Sequence, residues 1–266
     1  MPDISQLLGP LLWQGLLLSL FINLLFFFFA LIKQSDHFTD ITYSLSFITL
    51  SLFYAFTQPL PGTIPLIAIV LVVAWAVRLG GYLLLRIFWM GKDARFDHMR
   101  NKPVRFLFFW LLQALTVWVL LLPLYSYQSA PHTTELNILS ALGILTWLLG
   151  LIIESVADMQ KFTHKARNPQ GKWLDQGLWH LSRHPNFFGE MLVWWGFYLI
   201  VIPDGWPLRI LALVGPLFIT CLLRFISGVP LLEKSAHKKY GHLPEYHEYR
   251  TRTRLLLPLP RLNKKV

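Results

Sequence analysis

The sequence predicts an all-α, polytopic integral membrane protein with seven transmembrane helices, its N-terminus outside and its C-terminus in the cytoplasm. Three observations predict it. The 266 residues are 55% hydrophobic and only 14% charged. Several apolar runs approach the roughly 20 residues that a helix needs to cross a bilayer. The 24 Lys and Arg residues outnumber the 14 acidic ones and crowd into alternate connections, as loops retained in the cytoplasm do.

Taken in order, the apolar runs predict spans at 11–33, 41–58, 63–87, 106–126, 136–157, 187–203 and 206–227. The first lacks a basic leader, is long enough to cross, and is followed by more spans, so it reads as a retained helix and not a cleaved signal. After the third come Lys92, Arg95, Arg100, Lys102 and Arg105. After the fifth come Lys161, Lys165, Arg167, Lys172 and Arg183, and the tail after the seventh is basic again. The connections around Gln58 to Thr63, Tyr127 to Thr134 and Pro203 to Trp206 hold no Lys or Arg. That alternation sets the orientation.

The net charge of +10 has two readings. It reports topology and attraction to anionic head groups, or the basic loops also converge on a phosphorylated cofactor. Nucleic-acid binding is disfavoured, because the charge is divided among three loops at a membrane face with no module to organise it. Cys221 is the single cysteine, which excludes an intramolecular disulfide and a CxxC redox site. His180 and His184 have i, i+4 spacing, but Pro185 breaks the helix between them and its continuation, and no metal site is expected.

Ionisable groups inside spans cost about 2.5–3.5 kcal/mol each unless they pair, snorkel or meet water. Arg78, Tyr82 and Arg86 recur every four residues and form one stripe on the third helix. Glu154 and Asp158 repeat that spacing near the end of the fifth. Snorkelling accounts for Arg86. Arg78 and Glu190 point instead to a polar cavity opening toward the cytoplasm, with a purely structural ion pair as the alternative.

No repeat or linker divides the chain, so 1–266 reads as a single membrane domain. Its longest non-apolar stretch, 158–185, exceeds a simple connection. Trp173, Leu174, Leu178 and Trp179 within it argue for order, with turns at Asn168–Pro169 and Gln170–Gly171. The stretch leads into LSRHPNFFGEMLVWW, residues 181–195, where a polar loop enters an apolar helix. Arg183, His184 and Asn186 there offer donors for phosphate, ribose or amide groups, and Glu190 shares a helix face with Asn186. In the tail, Tyr240, Tyr246 and Tyr249 alternate with Lys239, Arg250, Arg252 and Arg254. That mixture suits packing on a nucleotide or on the head-group region.

RHPNFFGEMLVWWGF, the earlier Asp158, and the terminal KYG, EY, R and LP pattern together resemble the steroid 5α-reductase family and the related sterol C14 and C7 reductases. The resemblance covers roughly the last 110 residues. It implies an NADPH-dependent reductase of a carbon–carbon double bond conjugated to a ketone in a steroid-like lipid. The implied division is a substrate-facing part, 1–135, and an NADPH-binding part, 136–266. The implied cofactor residues are Arg95, Glu154, Asp158, Lys165, Lys172, Arg183, His184, Asn186, Glu190, Glu233, Tyr240 and Tyr249. Lys165 and Lys172 stand where family arginines meet phosphates, and Glu154 replaces a family asparagine. On the substrate side the resemblance implies Asp40 as the acid, kept protonated, with Tyr43 a turn away. Arg78 and Tyr82 fit the family pattern, and Trp75 occupies the place of its tyrosine. An indole donates a hydrogen bond but is a poor proton donor.

Two other classes stay open. Isoprenylcysteine carboxyl methyltransferases, which use S-adenosylmethionine, share an Arg-His-Pro with C-terminal Glu and Tyr. A non-catalytic sterol-binding protein would need the apolar spans alone. The expected location is a bacterial inner membrane, or the endoplasmic reticulum for a eukaryotic chain.

Overall fold

The structure, a computed structural model, describes residues 9–34, 37–57, 62–90, 102–129, 136–168 and 171–260. Among them there is no strand, only one isolated parallel bridge between Ser182 and Arg254. The helices are α1 (Pro10–Lys33), α2 (His37–Thr57), α3 (Thr63–Met90), α4 (Pro103–Leu120), α5 (Leu122–Gln128) and α6 (Ile138–Arg167). They continue with α7 (Leu178–Leu181), α8 (Pro185–Ile200), α9 (Trp206–Cys221), α10 (Val229–Tyr240) and α11 (Pro244–Arg252). A π-helical turn, Leu222–Ile226, follows α9. The basic connection with Lys92, Arg95 and Arg100 lies outside the described residues, as do Pro169 and Gln170 of the expected turns.

Among the described residues, five segments are long and apolar enough to cross a membrane: Pro10–Lys33, Thr63–Trp89, Pro103–Gln128, Ile138–Arg167 and Trp206–Tyr240. The chain is an integral membrane protein. Its outer surface agrees, since Phe56 is 86%, Phe88 81% and Ile138 80% exposed. Large apolar side chains left bare in this number belong against lipid.

Each expected span falls on a helix, but the helices at 41–58 and 187–203 are not among the five able to cross, and three boundaries differ. The fourth is interrupted at Leu121 (φ −94°, ψ 1°), ahead of Pro123 in the first turn of α5. Proline lacks the amide that would continue the ladder. The fifth runs on through Arg167, so Asp158 and Lys165 are helical rather than part of a 158–185 connection. Hydropathy falls after 157, but an amphipathic helix needs only one apolar face to persist. The seventh gives way to the π turn beyond Cys221.

The chain forms two compact units, Met1–Ala141 with Phe197–Gly215, and Leu142–Gly196 with Pro216–Val266. In the first, α2 packs on α1, α3 and α4. An aromatic cluster of Phe27, Phe106 and Trp110 closes one region of α1 against α4. A polar cluster joins the same helices. Asn23 donates to Ser19 O (2.9 Å) and Ser46 Oγ (3.1 Å). Gln113 donates to Asn23 Oδ1 (3.0 Å) and Thr39 O (3.2 Å). Such bonds hold apolar helices in register where the hydrophobic effect does not.

Candidate cofactor site and the polar groups around it

In the second unit, glycines recur at seven-residue spacing on α6 (Gly143, Gly150) and on α8 (Gly189, Gly196). A Cβ at Gly189 would stand 2.6 Å from the Glu154 amide nitrogen, and one at Gly196 would stand 2.5 Å from that of Trp147. Only glycine lets the two backbones approach so closely. The approach buries Glu154 (3% exposed) and Asp158 (6% exposed) beside the first turns of α8. Asn186 Nδ2 donates to Asp158 Oδ1 at 3.3 Å.

The connection into α8 is folded tightly onto α6. Gly177 adopts φ +57°, ψ −130°, a conformation that side chains rarely tolerate. Leu178 N then donates to Gln160 Oε1 (3.1 Å), and Trp179 Nε1 donates to Ala157 O (3.0 Å). The chain leaves α7 extended and meets the tail. Arg183 N donates to Arg254 O (2.8 Å), Ser182 Oγ to Leu256 O (2.7 Å), Thr253 Oγ1 to His180 O (3.2 Å) and Tyr249 OH to Trp179 O (3.0 Å). Asp175 pairs with both His180 and Arg252. The terminal helices therefore form one wall of the Arg183–Asn186 segment.

Trp173 is the aromatic anchor of that wall, with ring centroids 5.5 Å from Tyr240, 5.0 Å from Tyr246 and 5.8 Å from Tyr249. This explains why a basic tail carries tyrosines. Tyr240 OH donates to Gly171 O (3.2 Å), so the hydroxyls of Tyr240 and Tyr249 are both engaged with backbone carbonyls. Burial raises the Tyr249 phenol above its ordinary range, and the Asp175 charge pushes it the same way.

Glu233 of α10 is the hub. Its Oε2 accepts from Arg183 Nη1 (2.5 Å) and lies 3.5 Å from Arg250 Nη2, and its Oε1 is 2.9 Å from His184 Nε2. A carboxylate can only accept, so Nε2 carries the hydrogen and Nδ1 presents a lone pair. Burial pushes the His184 pKa below 6.5. The Glu233 bond and charge oppose that, while the charges of Lys161 and Arg183 reinforce it. His184 is a neutral ring, stacked on Phe187 at 5.7 Å.

The loop was expected to offer donors. The structure alters that. The donor atoms of His184 and Asn186 are taken by Glu233 and Asp158, and what remains buried without a partner is His184 Nδ1, Asn186 Oδ1 and Arg183 Nε. Two acceptors and one donor on neighbouring residues could meet a ligand that carries both kinds of partner.

The other expected residues are distributed as follows. Glu190 is half-buried on α8, four residues past Asn186. Lys165 is exposed on the last turn of α6. Lys172 is exposed, 3.4 Å from Glu245 and over the Trp173 ring. In the first unit, Asp40 Oδ2 accepts from Arg86 Nη2 at 2.9 Å, both side chains about one-fifth exposed. Pairing, not snorkelling, accounts for Arg86. The acid implied by the resemblance would act protonated, and in this structure Asp40 is engaged by the Arg86 guanidinium. Tyr43 stands edge-on to Phe47 (5.0 Å), and Phe47 edge-on to Trp75 (5.1 Å). Trp75 is fully buried as core. Arg78 and Tyr82 are half-buried on α3.

Sequence reasoning missed Asn23 and Gln113, although two uncharged amides inside apolar runs were visible there. It also gave Trp173 no role beyond order.

The fold and this site define an all-helical integral membrane protein with a buried polar cluster at the start of one helix, walled by its C-terminal helices. A family model described as "Protein of unknown function (DUF1295)" matches residues 26–253, and the chain belongs to that family. No curated protein and no solved structure matches it.

Proposed function

We propose that the chain is a seven-span, membrane-embedded, NADPH-dependent reductase that saturates a carbon–carbon double bond conjugated to a ketone in a steroid-like lipid. The tail and the Arg183–Glu190 segment face the cytoplasm in this reading, and a bacterial inner membrane is the setting. One observation supports it most. The segment that carries the resemblance to steroid 5α-reductases holds His184, Asn186 and Arg183 on the Glu233 and Asp158 carboxylates, with one buried polar atom of each left over.

Bound there, a reduced nicotinamide supplies the hydride for the β carbon of the enone. Asp158 holds the Asn186 amide, and Glu233 holds both Arg183 and His184, so the binding groups are in place beforehand. The α carbon takes a proton, and the ketone oxygen must be polarised meanwhile. For that work the resemblance implies Asp40 and Tyr43. Water is excluded by the apolar helices, which strengthens each of these interactions.

The test is NADPH oxidation by the detergent-purified protein with progesterone or testosterone, recording product mass and using Glu190→Ala as control. A two-dalton gain that the variant loses is the expected result. A folded protein that binds no NADPH, or that retains S-adenosylmethionine instead, overturns the reading.

A further inference from the structure

A cavity of about 80 Å³ lies within the first unit, where several helix ends meet. It is lined by Ile64 at the start of α3, Tyr127 at the end of α5, Asn137 just before α6, Ile200 at the end of α8, and Asp204 and Arg209 around the start of α9. The chain segments that reach it are 34–77, 106–160 and 184–223, and among all of them Arg209 is the single Lys or Arg. A cation placed alone at that end of the spans is either a snorkelling side chain or a ligand group.

Its geometry is not that of a side chain reaching for water. Arg209 Nε donates to Pro203 O at 2.9 Å, which folds the guanidinium back onto its own turn. Asp204 Oδ1 lies 3.6 Å from Arg209 Nη2, an ion pair too long for a hydrogen bond, so neither charge is saturated by the other. Asn137 Oδ1 accepts from Ser140 N (2.9 Å), which leaves the Asn137 amide nitrogen as its donor. Beside the lining, Ile138 (80%), Trp206 (74%) and Ile210 (51%) are exposed apolar side chains. The cavity thus presents one positive and one negative group next to a surface made for lipid.

That combination selects its occupant. An anionic headgroup or a free phosphate would meet Asp204 as well as Arg209 and gain from only one of them. A headgroup with both charges gains from each. We propose that this cavity binds the headgroup of a zwitterionic phospholipid bearing a primary ammonium, with its phosphate on Arg209, its ammonium on Asp204 and its acyl chains along the exposed apolar side chains. The site belongs to the first unit and does not depend on the NADPH reading.

The experiment is native mass spectrometry of the full chain, delipidated in detergent, with phosphatidylethanolamine, phosphatidylcholine and phosphatidylglycerol of matched acyl chains. Choline has no N–H to give Asp204, and glycerol has no charge to offer it. The native chain should retain phosphatidylethanolamine about fivefold over either, as charge-assisted hydrogen bonds at a partly exposed pair allow. Arg209→Gln and Asp204→Asn, both at exposed positions where folding tolerates change, should each abolish the preference. The same lipid should raise the melting temperature of the native chain and not of the variants. Equal retention of the three lipids overturns the site, as does a preference that survives in both variants, which would leave Arg209 a snorkelling cation. Preference for phosphatidylglycerol overturns the role of Asp204. Water-soluble phosphoethanolamine binding as tightly as the lipid would overturn the lipid as occupant.

Discussion

Two asparagines, one in each unit, differ in how far the described residues satisfy their amides. Asn23 has both ends filled: its nitrogen donates to Ser19 O and Ser46 Oγ, and its oxygen accepts from Gln113. Asn186 has one end filled, by Asp158, and its oxygen is buried without a partner. Leaving a buried carbonyl unpaired costs about 1–3 kcal/mol. The first amide is completed within the described residues, whereas the oxygen of the second is the atom that the proposed reading gives to a ligand.

The comparison depends first on the scaffold that holds Asn186 in place. Gly189→Leu would put a side chain where even a Cβ lies 2.6 Å from the Glu154 nitrogen. We expect the second unit to lose about 3 kcal/mol of stability, at the upper end of overpacking. A thermal scan in detergent would show a transition lowered and broadened. A variant as stable as the parent would mean that α6 and α8 do not pack on their glycines.

The asparagines themselves come next. Asn23→Leu strands the Gln113 donor and should destabilise by about 2 kcal/mol with cofactor affinity unchanged. Asn186→Leu takes a donor from the buried Asp158 carboxylate and should cost about 1 kcal/mol of stability, but unlike Asn23→Leu it should also lower NADPH affinity about tenfold. Thermal unfolding and calorimetric titration of both variants decide the point. If the two behave alike, the distinction between filled and unfilled amides is wrong.

These differences were only partly legible in the sequence. Helices were, because a run such as LLLSLFINLLFFFFALI carries its period and length with it. The loop entering α8 was legible as a polar segment in an apolar setting. Which of its atoms are used up was not, since that depends on Glu233, separated from His184 by 49 residues, and on Asp158, separated from Asn186 by 28. Asp40 and Arg86, 46 residues apart, illustrate the same limit. Read singly, one was an acid and the other a snorkelling cation, and only the helix packing makes them a pair. The tail tyrosines were visible, but their partner Trp173 lies on a different segment.

Acidification offers a smaller and reversible perturbation. His184 has its pKa lowered from 6.5, by burial first. The unfolded chain therefore takes up a proton before the folded one does, and stability must fall as pH drops below about 6.5 toward the folded value. Above that pH both states are neutral there, and the effect vanishes. Melting temperature measured between pH 8 and 5 should be flat and then decline, and His184→Phe should remove the part of the decline that begins near 6.5. A native profile with the same slope in the variant would show that His184 is not buried as a neutral ring.

The smallest expected effect concerns Lys172, and it tests the contrast from the other side. Its ion pair with Glu245 joins two side chains that are 64% and 61% exposed. Exposed pairs contribute little, so Lys172→Ala should leave the melting temperature essentially unchanged. If the exposed cation meets the 2′-phosphate, the same substitution should weaken NADPH several-fold while NADH binding stays as it was, because only one of the two dinucleotides carries that charge. Titrating both cofactors into the variant distinguishes a phosphate contact from a solvated lysine. Equal small losses for both would assign Lys172 to the tail interface, with Trp173 and Glu245, and would leave recognition of the phosphate to the remaining cations of the basic loops.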